Sequence, residues 1–383
     1  MLYNQVIRYD ESDDPYMVSG MISCILCGEP YPVEGTPYRC HCGGSYDYSR
    51  LPPFALPTGP DFHRGLWRYA HSLGLPVDAP IVSLGEGDTP LLLAQFHGRS
   101  IYLKLENQNP TGSYKDRGSA VLTSFLLSRG VKEVVEDSSG NAGASLAAYC
   151  ARAGVNAHVY IPESASGPKR WQIEMFGAVV HSIPGPRVNA AEAVLSAVNS
   201  GKVYASHAYM PSGLPGIATI AYEIWQELGR EPGTLIAPVG HGGLLYGVML
   251  GFEALLHAGL IPRIPYYIGV QAENCAPVFQ AYKQGKLDPI EVATSLTLAE
   301  GTSVTRPVRG GQILRRLLNG GGEMAAGTET QILEIYDRLA RSGVFCEPTS
   351  SLSLIPLLND KIEFNEPVVA IITGSGSKTN MIL

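Results

Sequence analysis

The sequence predicts an α/β fold of open parallel sheets in two domains, with a small cysteine-rich ribbon at the N-terminus. Strand–glycine loop–helix units recur, first at VKEVVEDSSGNAGASLAAYCARAG (131–154) and again at TLIAPVGHGGLLYGVMLGFEALLHAG (234–259). The strands read as continuous apolar runs, as in PYYIGVQAE (265–273) and PVVAIITG (367–374). Strands that are apolar on both faces and separated by helices belong in parallel sheets covered on both sides. At about 150 residues per domain, a chain of 383 residues has room for two to three.

The elements follow in order. Cys24-x2-Cys27 and Cys40-x-Cys42 lie beside Gly28, Gly43 and Gly44, with a connector of 12 residues between the pairs. Paired thiols on tight glycine turns match a zinc ribbon, with Cys24, Cys27, Cys40 and Cys42 as ligands. The second pair is one residue short of the usual spacing, and His41 is an alternative ligand; four ordinary core thiols are the competing reading. LPPFALPTGP (51–60) reads as a proline-rich linker. From about residue 80 short apolar runs alternate with helices: NAHVYIP (156–162) is a strand, KRWQIEMFGA (169–178) a helix and AVVHSIP (178–184) a strand. The predicted domains are a ribbon at 1–55, a large domain from 56–110 plus 225–383, and a smaller one at 111–224.

Composition excludes several functions. Lys and Arg number 28 against 35 Asp and Glu, a net charge of −7 that argues against a nucleic-acid partner. With 45% hydrophobic residues the chain buries enough surface to fold. The acidic start MLYNQVIRYDESDD lacks the apolar core of a signal peptide. The longest apolar stretch, Leu244–Leu260, is broken by Glu253 and His257 and falls short of the roughly 20 residues that span a bilayer. Seven cysteines with no secretory signal point to reduced thiols and a cytoplasmic home.

Four segments carry chemistry. GHGG (240–243) ends an apolar strand and opens a helix, where free N–H groups and absent side chains suit a small phosphate. Leu245 stands where a dinucleotide fingerprint needs its third glycine, and no Lys-Ser/Thr follows for a nucleoside-triphosphate loop. A plain tight turn is the alternative. SSGN (138–141) opens another helix and offers hydroxyl and N–H donors to a carboxylate; a simple N-cap by Ser138 or Ser139 is equally open. GSGSKT (374–379) is too close to the end to open a helix, yet it presents Thr373 at the end of a buried strand. The sharpest segment is NPTGSYKDRGSAV (109–121). Lys115 there sits at a positive helix end beside Arg117, which favours loss of its proton. A neutral amine is what condensation with an aldehyde cofactor requires. The alternative is a surface lysine paired with Asp116.

These segments, with SLGEGDTPLL (83–92) and CEPTSS (346–351), together resemble the pyridoxal-phosphate enzymes of fold type II, the tryptophan synthase β group. Within it the chain is most similar to the threonine synthases, over about residues 20–383. The resemblance implies that Lys115 holds the cofactor and moves the substrate's α-proton. It implies that Gly240, His241, Gly242, Gly243 and Leu244 wrap the cofactor phosphate, Asn141 meets the ring hydroxyl and Thr373 faces the ring nitrogen. Ser138, Ser139, Gly140 and Asn141 would take the substrate carboxylate. A homodimer acting on a small amino acid is implied, with O-phosphohomoserine and water giving threonine and phosphate. One departure favours other β-elimination or β-replacement enzymes of the group, such as serine/threonine dehydratase or cysteate synthase. SHAYMPSGLPGIATIAYEI (206–224) lacks the arginine with which threonine synthases grip a leaving phosphate. Lys169, Arg170 and Arg306 are the candidate replacements, and His207 and His241 lie beside the loops.

Overall fold

The computed structural model describes residues 19–56, 64–76 and 78–379; the chain's start and positions 57–60 of the predicted linker lie outside them. A short antiparallel ribbon comes first, β1 (Ile22–Cys24) on β2 (Tyr46–Tyr48). Then follow β3 (Leu91–Phe96), β4 (Arg99–Leu105), α1 (Lys115–Ser128), β5 (Glu133–Glu136) and α2 (Asn141–Ala153). Next are β6 (Asn156–Pro162), α3 (Pro168–Met175), β7 (Val179–Ile183), α4 (Arg187–Asn199), β8 (Val203–Tyr204) and α5 (Leu214–Leu228). After them come β9 (Thr234–Pro238), α6 (Gly243–His257), β10 (Tyr266–Ala272), α7 (Pro277–Lys283) and α8 (Gly310–Arg316). The last are β11 (Gly322–Gly327), α9 (Glu329–Arg341), α10 (Pro348–Ser351) and β12 (Val368–Ile372).

The chain divides into two compact units. The first takes the residues up to Asp88 and Lys115–Thr219; the second takes Thr89–Tyr114 and Ile220–Thr379. In the first, the sheet order is β7-β6-β5-β8 and every pairing is parallel. Val159 and Ile161 of β6 pack with Ala144 and Ala147 of α2 and Ile173 of α3, whereas Tyr160 packs against the cluster of Val135, Val194 and Tyr204. Alternate residues of a strand face opposite ways, so helices cover both sides of this sheet. Glu86 lies fully buried in the same unit and accepts hydrogen bonds from Trp67 Nε1 (2.6 Å), Tyr149 Oη (2.7 Å) and the Leu84 N–H (2.9 Å). Ser83 Oγ donates as well, at 3.4 Å, and four donors around one carboxylate account for an acid in the SLGEGDTPLL segment.

The second unit carries a six-stranded sheet, β11-β10-β9-β12-β4-β3. All residues of β9 and β12 are buried, matching their uninterrupted apolar runs. The sheet departs from the all-parallel expectation at one edge, where β3 runs antiparallel to β4. The cause is local. Only His97 and Gly98 connect the two strands, both at positive φ (48° and 72°), which is a tight hairpin turn. A parallel partner would need a crossover of about a dozen residues.

Candidate active site

Lys115 is the first residue of α1 and half-buried. The competing reading, a surface ion pair with Asp116, meets a fully buried Asp116 whose Oδ1 accepts from Ser145 Oγ at 2.7 Å. Arg117 is equally buried and donates to Thr219 Oγ1 at 2.9 Å. Gly216 lets the following segment reach α1: a Cβ there would strike the Arg117 carbonyl oxygen. The start of α1 is thus gripped by its second and third residues.

The SSGN loop follows β5 in the same unit. Its helix, α2, has Gly140 as N-cap and no side-chain cap, so Ser138 and Ser139 are not capping residues. Ser138 Oγ instead accepts from the Gly140 N–H at 3.3 Å, and Ser138 is 7% exposed. Asn141 opens the helix, half-buried. A Cβ at Gly143 would strike the Ser138 carbonyl, so glycine is what lets the loop fold back over the helix start. Uncapped N–H groups at a helix N-terminus with a serine beside them suit a carboxylate.

Two acids precede this loop, and the sequence reading passed over both. Tyr204 Oη donates to Asp137 Oδ1 at 2.7 Å. Glu136 is 1% exposed, lies 3.0 Å from His207 Nδ1 through Oε1, and its Oε2 is buried without a hydrogen-bond partner. Burial holds the Glu136 carboxyl well above the usual range, with Asp137 pushing the same way and Lys115, Arg187 and His207 opposing. A carboxyl whose folded value is raised holds its proton in the folded chain after the unfolded chain has lost it. Stability therefore falls as pH climbs from the unfolded value, about 4.3, towards the folded one. Glu136→Gln cannot titrate, so thermal scans from about pH 5 to 8 should show a flatter profile than the parent's, with the variant gaining on it as pH rises. Parallel profiles would contradict this assignment.

In the second unit GHGG lies between β9 and α6, as the sequence predicts. A Cβ at Gly240 would stand 2.5 Å from the Gly301 carbonyl oxygen, and one at Gly242 (φ 93°) would stand 2.9 Å from Ile313 Cδ1. A Cβ at Gly243 would meet nothing within 4 Å. Two glycines are demanded by the loop's own packing and the third faces open space. The fifteen-residue α6 has Gly242 as N-cap with no side-chain cap, and Leu244 is buried in its first turn. This cradle fits a phosphate. Behind it, the N–H of Arg309 donates to the His241 carbonyl at 3.0 Å, and Arg309 itself is 2% exposed. Arg306, three residues earlier and one of the candidate phosphate-binding cations, is exposed.

Thr373 directly follows β12, buried, in a network the sequence could not reveal. Its hydroxyl donates to Glu347 Oε1 at 2.9 Å and lies 3.0 Å from Ser350 Oγ, which also accepts the Thr373 N–H at 3.0 Å. The Thr373 carbonyl accepts from Tyr114, the residue before Lys115, at 3.0 Å. Gly374 has no room for a side chain, since a Cβ would stand 2.6 Å from the Glu347 carboxyl carbon. A hydroxyl whose hydrogen is committed to a carboxylate offers its lone pairs elsewhere.

The four N-terminal cysteines converge. One sulfur from each of Cys24, Cys27, Cys40 and Cys42 lies within 4.8 Å of the others. Cys27 and Cys42 are exposed, which a set of core thiols would not be. Burial pushes the Cys24 thiol up, but hydrogen bonds from the Cys27 and Leu26 backbone and the Cys42 side chain outweigh it and leave it near about 7. The donor set fits a thiolate-bound metal such as zinc. Of the cations considered for a leaving phosphate, Arg170 is already engaged by Glu174 (2.9 Å), the Ala165 carbonyl (3.0 Å) and Ser182 (3.1 Å).

With this geometry in place, comparison with known proteins is decisive at the level of class. The chain belongs to the pyridoxal-phosphate dependent enzyme family, whose profile matches residues 82–374. Within it the chain is similar to the threonine synthase of Methanocaldococcus jannaschii, 34% identical over 373 residues that cover 93% of this chain and 92% of the relative. The threonine synthase of Methanosarcina acetivorans is also 34% identical, over 92% of this chain and 91% of that one. Among solved structures, maize serine racemase has the same fold (TM-score 0.67, 20% identity, 76% of this chain and 89% of that one). A threonine deaminase from T.th. aligns at TM-score 0.66 and 26% identity, over 76% of this chain and 94% of that one. Among the described residues no helix is long and apolar enough to cross a membrane.

Proposed function

We propose that this enzyme is a threonine synthase, converting O-phosphohomoserine and water to threonine and phosphate. The observation that carries the proposal is 34% identity to a threonine synthase over more than nine-tenths of both chains. Pyridoxal phosphate supplies an electron sink for the carbanion left by loss of the α-proton. The chain's residues do the rest. The N–H groups of Gly240–Leu244 at the start of α6 hold the cofactor phosphate, Asn141 meets its ring hydroxyl and Thr373 meets its ring nitrogen. A neutral ring nitrogen can only accept, so the Thr373 hydroxyl, which donates to Glu347 Oε1 in this structure, would turn its hydrogen to the ring when the cofactor binds. Ser138, Ser139 and the N–H groups at the start of α2 bind the substrate carboxylate. Lys115 anchors the cofactor and, once displaced by substrate, takes the α-proton and then a β-proton with its Nζ. Phosphate departs from the γ-carbon, which then takes a proton to become the methyl group; water adds its hydroxyl at the β-carbon and the α-carbon is reprotonated, so the two protons taken by Lys115 are returned and the proton shed by water leaves with phosphate.

The four cysteines hold structural zinc in this reading, and the enzyme is a cytoplasmic homodimer. Metal analysis of protein purified without added metal tests the first, and light scattering the second. A second reading rests on one observation, the absence of arginine from residues 206–224. It makes the enzyme a β-eliminating or β-replacing member of the family acting on serine, threonine or a related amino acid. The deciding assay is phosphate release and threonine formation from O-phosphohomoserine by the cofactor-loaded protein. Release with threonine as product supports the synthase; no release, together with keto-acid and ammonia from serine or threonine, supports the second reading.

A further inference from the structure

The cysteine knuckle lies against the stretch 204–209, which bonds the two acids just before the proposed carboxylate site. Tyr38 and Arg39 run directly into Cys40. Arg39 Nη2 donates to Tyr209 Oη at 2.6 Å, and its guanidinium lies 4.5 Å from the centre of the Tyr209 ring. Tyr38 meets Tyr209 edge-on at 5.5 Å and Tyr204 at 5.1 Å. The two clamped tyrosines bracket His207. Tyr204 bonds Asp137, the residue before Ser138, and His207 pairs with buried Glu136. The knuckle's connector is also tied to the end of α1, the helix that Lys115 opens, because Arg129 donates to the Gly35 carbonyl at 3.3 Å. All of these residues fall in the first compact unit.

A single exposed cation–aromatic contact contributes little. Here a charge-assisted hydrogen bond and three ring contacts converge on two tyrosines of one six-residue stretch, 204–209, and that stretch holds the acids in front of the SSGN loop. We infer that Arg39 and Tyr38 are positioning residues for the substrate-carboxylate loop, and that closing the four-cysteine knuckle on a metal sets their grip. The inference rests on the readings of SSGN as a carboxylate site and of the cysteines as a metal site.

The test uses the full-length, cofactor-loaded enzyme. Backbone hydrogen exchange is followed at Ala205, Tyr209 and Met210, whose N–H groups bond Val135 and Ser206. Exchange is measured before and after zinc removal with a chelator. Removal should speed exchange at these sites by about tenfold in the parent, as expected when a loop loses its brace. In Arg39→Ala exchange should already be fast and gain little on chelation. KM for the amino-acid substrate should rise about five- to tenfold in Arg39→Ala with kcat within about twofold, and the cofactor absorbance should stay as in the parent. Arg39→Lys, which keeps the charge over the ring but loses the fork, should recover part of the KM. Tyr209→Phe, which deletes one hydroxyl and keeps the edge-on ring contacts, is the variant safest for folding and should give a smaller KM rise of the same kind. Chelation that leaves exchange over 204–210 untouched would overturn the link to the metal. Parent-like exchange and KM in both Arg39→Ala and Tyr209→Phe would overturn the positioning role. A protein that makes no threonine refutes the substrate reading alone, since the exchange experiment still decides the clamp; a protein without metal refutes the knuckle's part and leaves the Arg39→Ala exchange to decide the rest.

Discussion

Lys115→Ala should lose its yellow colour and at least about a thousandfold of its turnover, while melting within a few degrees of the parent. The size of the loss reflects two jobs removed at once: the covalent anchor for the cofactor and the amine that moves protons, the latter alone worth about 10²–10⁴-fold. The retained fold follows from the neighbours. Asp116 and Arg117 are fully buried, and their hydrogen bonds to Ser145 and Thr219 hold the start of α1. Lys115 itself is half-buried. Lys115→Arg keeps the charge but cannot form the covalent link, so it should be as inactive as alanine; rescue by arginine would show that charge is what the position supplies. Three readings separate the possibilities: the visible spectrum, the melting temperature and the turnover rate. A folded, colourless, inactive variant confirms Lys115, and a coloured one moves the anchor to another lysine.

The parts of this enzyme legible in its sequence are those whose cause is local. Continuous apolar runs become the buried strands β9 and β12 because a strand covered on both faces has no polar position to reveal. GHGG is legible as a strand-to-helix loop because a glycine cluster between an apolar run and a helical one marks a tight turn. The β3–β4 hairpin was harder. LLLAQF lacks the alternation that marks a half-exposed strand, and Leu92 and Leu93 are both exposed. The turn was nonetheless present in the sequence, as a two-residue His97–Gly98 connection. What could not be read at all is long-range polar pairing. Thr373 and Glu347 are 26 residues apart, and Glu136 and His207 are 71 apart. No periodicity relates such residues. The CEPTSS segment was visible as a motif, but its role as a holder of Thr373 depends on how α10 meets the end of β12.

Lys104 shows the same limit and carries the largest stability effect expected outside the site. On β4 its Nζ donates to the Thr89 carbonyl at 2.6 Å and pairs with Glu223 at 2.9 Å and Glu227 at 2.6 Å. Lys104 and Glu223 are completely buried, 119 residues apart in sequence (223 − 104). Removing this ammonium takes the countercharge away from a completely buried carboxylate. Lys104→Met fills a similar volume yet should destabilise the chain by about 3–5 kcal/mol, because breaking one side of a buried ion pair costs far more than the pair's net worth. Lys104→Met with Glu223→Gln should recover much of the loss, since no completely buried ion is then left without its countercharge, and Glu227, which also loses the lysine, reaches solvent. Guanidinium unfolding of the parent, the single and the double variant measures this directly, through midpoints at constant slope. A single variant within about 1 kcal/mol of the parent would mean that water reaches Glu223 once the lysine is gone. The consequence for function runs along the chain. β4 leads into Glu106, which accepts from Thr89 Oγ1 at 2.6 Å and Asn109 Nδ2 at 2.9 Å, and then into Thr111, whose carbonyl accepts from Lys378 at 2.8 Å. This anchored run delivers the chain to Lys115, so loosening its first support should weaken cofactor retention before it unfolds the protein. Cofactor loss on dialysis should therefore be faster in Lys104→Met than in the double variant, at temperatures where both remain folded.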